Sequence, residues 1–130
     1  MQVSGNTITL EAAEDLARGR AVGIDSNGRA HYVGTADAVR APVGITLEDC
    51  VQGNDVSVAV AGVVQAEANE AITAGFQVET NFSQDDGTLL QVDNMNNNNT
   101  TLVGCALTAA AAAGQFISVL IQINVTSNES

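Results

Sequence analysis

The stretch Pro42–Val64, PVGITLEDCVQGNDVSVAVAGVV, returns about sixty residues later as Leu102–Val125, LVGCALTAAAAAGQFISVLIQINV. Both versions run from a small apolar strand around Val-Gly, through a short bridge ending in Gly, to an alternating strand. Val56, Val58 and Val60 alternate with Ser57, Ala59 and Ala61, and Ile117, Val119, Ile121, Ile123 and Val125 alternate with Ser118, Leu120, Gln122 and Asn124. Period two over this length predicts strands with one buried face.

The match extends backwards. Leu16-Ala17-Arg18-Gly19 answers to Ile72-Thr73-Ala74-Gly75, and the turn Asp25-Ser26-Asn27-Gly28 answers to Gln84-Asp85-Asp86-Gly87. The offset grows from 56 at Gly19 and Gly75, through 59 at the turns and 60 at Gly44 and Gly104, to 61 at Gly53 and Gly114. Single insertions at turns produce such a drift without moving any strand's buried face. Two copies are fewer than a solenoid needs, so the expectation is a duplicated β unit closing on itself, its halves related by a pseudo-twofold. The fold class expected is mainly β: a small duplicated β-barrel or sandwich with one or two very short helices. The expected organisation is an N-terminal arm and edge strand at 1–12, one β domain at 13–125 made of repeats 13–65 and 68–125, and a polar tail at 126–130.

Ser26-Asn27-Gly28 between Arg20–Ile24 and Ala30–Gly34 is a hairpin signal, because Asn and Gly tolerate the positive φ of tight turns. Gln77–Asn81 and Thr88–Val92 repeat it, and Pro42 sets an extended entry into Val43–Leu47. Residues 93–101, including Asn96–Asn99, read as a mobile surface loop. Glu11–Arg18 and its counterpart predict at most one helical turn before each Gly. Ala109–Ala113 predicts one short helix capped by Thr108 and stopped by Gly114.

One hundred and thirty residues suit one domain with a core of its own. Cys50 and Cys105 fall at non-equivalent places in the repeats and read as free thiols. No apolar run approaches a membrane span and no charged leader precedes the first strand, so the chain reads as soluble and made in the cytoplasm. Fifteen acids against four arginines and no lysine give a net charge of −11. Contacts to phosphates need clustered cations, which argues against nucleic-acid and anionic-membrane partners.

Sites for chemistry are sparse. His31, the single histidine, reads as structural or solvent-exposed, Asp25–Gly28 lacks the later ligands of a calcium loop, and Asp85-Asp86 and Glu48-Asp49 read as solvated turn charges. No catalytic residue, metal site or cofactor is expected. One tyrosine and three phenylalanines make a poor stacking platform for sugars or bases.

Leu16-x-x-Gly19 with Val22, the Asn27-Gly28 turn, Pro42-Val43-Gly44-Ile45, Gly53-x-x-Val56-x-Val58, Gly104-Cys105-Ala106-Leu107, Ala109–Gly114 and Ile117-Ser118-Val119 together resemble the small capsid decoration, or cement, proteins of tailed bacteriophages. The resemblance covers roughly residues 13–123. It implies a β protein without catalysis that binds the outside of a phage head, contacting the major capsid protein, commonly as a homotrimer, and reinforces the shell. The alternatives are a carbohydrate- or receptor-binding module using the 93–101 loop, and a small hydrolase using paired acids. The protein interface is expected at Ile8 and Leu10 of the arm, at Arg18, Arg20, Arg29 and Arg40, all in the first repeat, and at the outward Leu120.

Overall fold

The computed structural model describes residues 2–4, 6–34, 39, 41–81, 84–92 and 102–123. Arg40, the Asn96–Asn99 loop and the 126–130 tail lie outside these residues. Eleven strands are described: β1 Gln2–Ser4, β2 Thr7–Glu11, β3 Ala21–Ile24, β4 Ala30–Tyr32, β5 Gly44–Thr46, β6 Asp55–Ala59, β7 Val63–Glu67, β8 Gln77–Thr80, β9 Leu89–Gln91, β10 Leu102–Ala106 and β11 Phe116–Ile121. They form two antiparallel sheets, in a sandwich-like arrangement, with strand orders β1-β2-β6-β5-β3-β4 and β7-β11-β10-β8-β9. Neither sheet closes into a barrel.

Without β1, the first order becomes the second when each strand is replaced by its repeat counterpart. The likeness reaches single hydrogen bonds. Leu16 and Cys50 exchange both backbone bonds at 2.7 and 2.8 Å, and Ile72 and Ala110 do the same at 2.9 Å each. Glu14 Oε2 accepts from the Tyr32 amide, as Glu70 Oε2 accepts from Gln91. The Ala17 amide donates to the Tyr32 hydroxyl, as Thr73 donates to Gln91 Oε1. Conserving these partners in both halves fixes the register of each sheet, because a slip of one residue would turn every buried side chain outward.

Within the first unit Val56 and Val58 are fully buried with Leu10, Leu16 and Val22. Each such side chain contributes about 1.5–3 kcal/mol by leaving water. The opposite face of this sheet is also covered: Ala21, Ile45 and Ala59 join the core of the second unit, built around Val78, Leu89, Ile117 and Val119. Small residues at 21 and 59 let the second unit approach. At Gly44 and Gly104 the approach is closer still, since an added Cβ would run into the carbonyl oxygens of Ala59 and Leu120 on the neighbouring strand.

Three expectations need correction. No α-helix occurs among the described residues. In the alanine run, Ala110 is tied to Ile72, and the Thr108 hydroxyl accepts from the Ser118 amide instead of capping a helix. Five residues gain too few internal hydrogen bonds to compete with such bridges. Likewise Glu11 closes β2 and Leu16 bridges to Cys50, so no helical turn precedes Gly19. The edge strand of the 1–12 arm is Gln2–Ser4 and not the stretch Thr7–Leu10 where it is expected, because β1 pairs along the outer side of β2. Finally, the two units do not meet about a twofold: the surface one offers differs from the surface the other offers, as described next.

Candidate interface surfaces

The units join where the segment Arg18–Ala21, leading into β3, lies against the end of the second sheet. Gly19, with φ of +79°, turns its carbonyl to accept from the Glu67 amide at 2.9 Å, and the Ala21 amide donates to the Gly87 carbonyl at 2.8 Å. Between these bonds Arg20 places Nη2 3.0 Å from Glu67 Oε1, donates from Nε to the same oxygen, and donates from Nη1 to the Asp86 carbonyl at 2.8 Å. Arg18 lies over the Phe116 ring, 4.5 Å from its centre. The joint is heterologous. Its reciprocal parts do not meet: Phe76, counterpart of Arg20, is 43% exposed, nothing among the described residues approaches a Cβ position at Gly75, and Glu11, counterpart of Glu67, is exposed.

The residues expected at an interface are thereby separated. Arg18 and Arg20 serve the joint inside the molecule. Arg29 pairs with Asp25 at 3.5 Å with a third of its side chain exposed. Ile8 is half-buried against the first core, and Leu10 is 4% exposed within it. Leu120 is half-buried in β11, opposite Val63 on one side and Cys105 on the other. Arg40 is outside the described residues. Glu67, Phe116 and Gly87 are the joint residues that sequence reading did not single out. Phe116 carried a signal, since it differs from its counterpart Asp55 as Arg18 and Arg20 differ from Ala74 and Phe76, whereas Glu67 and Gly87 repeat Glu11 and Gly28 and carried none.

The polar side chains are occupied with local structure. Asp25 Oδ1 accepts from the amides of Asn27 and Arg29. Burial works against ionisation there, but these hydrogen bonds and the Arg29 charge outweigh it and hold the carboxyl below its ordinary range. His31 Nδ1 lies 3.0 Å from the Tyr32 carbonyl and 3.1 Å from Glu14 Oε2, a position that braces the β4 end. Asp86 Oδ1 accepts from the amide and hydroxyl of Thr88, Glu48 from the Ser57 amide and Asp49 from the Arg18 amide. Burial, then the charges of Glu48, Asp55 and Asp15, push the Cys50 thiol up. Cys50 and Cys105 are both free thiols. Among the described residues no three His, Cys, Asp or Glu side chains gather as a metal site.

Comparison with known proteins gives two findings. A family model described as phage cement protein matches residues 2–121. Among solved structures, the N base of the head fiber gp8.5 of bacteriophage phi29 superposes with a TM-score of 0.63 at 18% identity, covering 94% of this chain and 98% of that one. At that identity the second likeness shows a shared fold. No curated protein sequence matches.

Proposed function

This chain belongs to the phage cement protein family, with a structural, capsid-associated role, and on that premise we propose that it binds the outer surface of the head as a homotrimer and reinforces the shell. The observation that carries the reading is the family match over nearly the whole chain. Binding to the major capsid protein stabilises the assembled shell by mass action, since the protein gains nothing from dissociated subunits that lack the composite surface. A contact of standard size, about 800 Å² per partner, fits on a body of this size without a deep pocket. No catalytic step is assigned to it. Synthesis takes place in the host cytoplasm, and the chain acts as a single domain whose two units are β2–β6 and β7–β11.

The contact with the shell is assigned to β1, the edge strand of the first sheet, together with Arg40, whose positive charge would favour a partner that otherwise meets an acidic body. Cosedimentation with purified empty heads tests this. The protein should pellet with heads and raise their thermal disruption temperature, and Arg40→Glu should weaken the binding. Failure to pellet with heads at saturating concentration would remove the proposal.

A further inference from the structure

The intramolecular joint has a free copy of each of its halves. In the second unit Ala74–Gly75–Phe76–Gln77 stands where the first has Arg18–Gly19–Arg20–Ala21, and Gly75 holds the same left-handed conformation, φ +93° against +79° at Gly19. Within the described residues Ala74, Gly75 and Phe76 are exposed, Phe76 by 43%, while Gln77 is half-buried; the Gly75 carbonyl takes a long bond from the Cys105 thiol at 3.6 Å, and Leu107, next to the Ala106 that bonds to Gly75 and Phe76, is 47% exposed. In the first unit the receiving surface is also present. Glu11 pairs with Asp55 across β2 and β6 in the register that Glu67 and Phe116 hold across β7 and β11. With the Asn27–Gly28 turn and Arg29, whose guanidinium is paired with Asp25, they line an open cleft of about 500 Å³. Among the described residues Glu11 and Asp55 take no ion pair.

We propose that Ala74–Gln77 of one copy docks into the cleft at Glu11, Asn27–Gly28 and Asp55 of a second copy, repeating between chains the joint found within the chain. The occupant is set by the template. The joint's two framing hydrogen bonds, Glu67 amide to Gly19 carbonyl and Ala21 amide to Gly87 carbonyl, are backbone to backbone and do not depend on side-chain identity. Their counterparts would run from the Glu11 amide to the Gly75 carbonyl and from the Gln77 amide to the Gly28 carbonyl. Ala74, Phe76 and Gln77 bring no carboxylate to Glu11 and Asp55, so no like charges meet, and docking covers Phe76. A heterologous contact of this kind forms rings where its rotation closes. The proposal supplies the contact for the trimer of the preceding section, and it is read without heads, so that either reading can fail alone.

Sedimentation of the full-length protein over a concentration series, in the absence of heads, tests the contact. Phe76→Arg restores opposite Glu11 the partner that Glu67 has in Arg20, and should tighten association about threefold to fivefold. Phe76→Asp sets like charges against each other and should weaken it about tenfold or more, and adding Glu11→Arg to Phe76→Asp should recover it. Phe76 and Glu11 are exposed, so circular dichroism should be unchanged in all three. A wild-type protein and Phe76→Arg variant that are both monomeric throughout, or an oligomer indifferent to the charge swap, would overturn the proposal. So would a cleft that takes a synthetic Ala-Arg-Gly-Arg-Ala-Val peptide, copied from residues 17–22, while the protein stays monomeric. That result would assign the cleft to a basic segment of another protein.

Discussion

Arg20 and Glu67 face each other across the joint between the two sheets, Nη2 to Oε1 at 3.0 Å, each with about a fifth of its side chain exposed. The pair carries more than an exposed surface bridge because Nε shares the same carboxylate oxygen and Nη1 is held by the Asp86 carbonyl. Arg20→Ala leaves Glu67 and the carbonyl unpaired and should cost about 1–3 kcal/mol in urea unfolding. In a double-mutant cycle with Glu67→Ala the two losses should overlap, with a coupling of about 0.5 kcal/mol or more. Strict additivity would mean that the pair contributes nothing across the joint.

Gly44 and Gly104 occupy equivalent places, and at each an added methyl meets a backbone carbonyl that has nowhere to move. Gly44→Ala and Gly104→Ala should each lower stability by about 1–3 kcal/mol, as overpacking of a tight core does. Gly53→Ala is the contrast. Its Cβ would enter open space, so only the φ of +91° opposes it, at about 1–2 kcal/mol. Chemical denaturation of the three variants separates steric from conformational cost, with Gly53→Asn expected to recover part of the loss and Gly44→Asn none.

How much of this was legible before the fold was known depends on which interactions repeat. The β class, the duplication and the hairpins at Asn27-Gly28 and Asp86-Gly87 follow from glycines and alternating valines that recur at regular offsets. Strand limits fall within about two residues of those read for β3, β5 and β8. The alanine run misled because Ala110 is spent on a bridge to Ile72, a long-range partner that local propensity cannot register. The joint was hidden for the opposite reason. Arg18 and Arg20 look like surface charges, and a duplicated sequence suggests a symmetric pairing, whereas the joint sets positions that differ between the repeats, Arg18, Arg20 and Phe116, beside Glu67 and Gly87, which do not.

Acid should weaken the Asp25 turn. Its folded pKa lies below the unfolded one, so its contribution is complete above about pH 4, the ordinary carboxylate value, and is lost as pH falls through the folded pKa. Asp25→Asn keeps an acceptor oxygen for the Asn27 and Arg29 amides but has no charge to lose. Between pH 6 and pH 2.5 its thermal midpoint should therefore fall less than that of the wild type. Equal falls would show that the turn carboxylate is not a source of the acid sensitivity.

Cys50 should be a slow thiol. Burial, followed by the acids at 48, 55 and 15, raises its pKa, and the nucleophile is the thiolate. In a Cys105→Ser background, reaction with a disulfide reagent at pH 7.5 should be slower than that of free cysteine, and should speed up as the pH is taken past 9. A rate at pH 7.5 equal to that of free cysteine would contradict the environment seen around Sγ.

Strand β1 pairs Gln2, Val3 and Ser4 with Thr9, Ile8 and Thr7, on the side of β2 away from β6. In the second sheet no described strand stands beside β7 at the corresponding place, so β1 is an addition to the repeated unit and closes an edge that the unit itself leaves open. A three-residue ladder contributes a few backbone hydrogen bonds, each about 0.5–1.5 kcal/mol net. Removing residues 1–4 should lower unfolding free energy by about 1–2 kcal/mol and leave the unpaired amides and carbonyls of Thr7–Thr9 free to template pairing with another chain. The truncated protein should therefore show both a lower urea midpoint and concentration-dependent aggregation on warming. An unchanged midpoint with no added aggregation would mean that β1 neither holds nor guards β2, leaving attachment to a partner as its use.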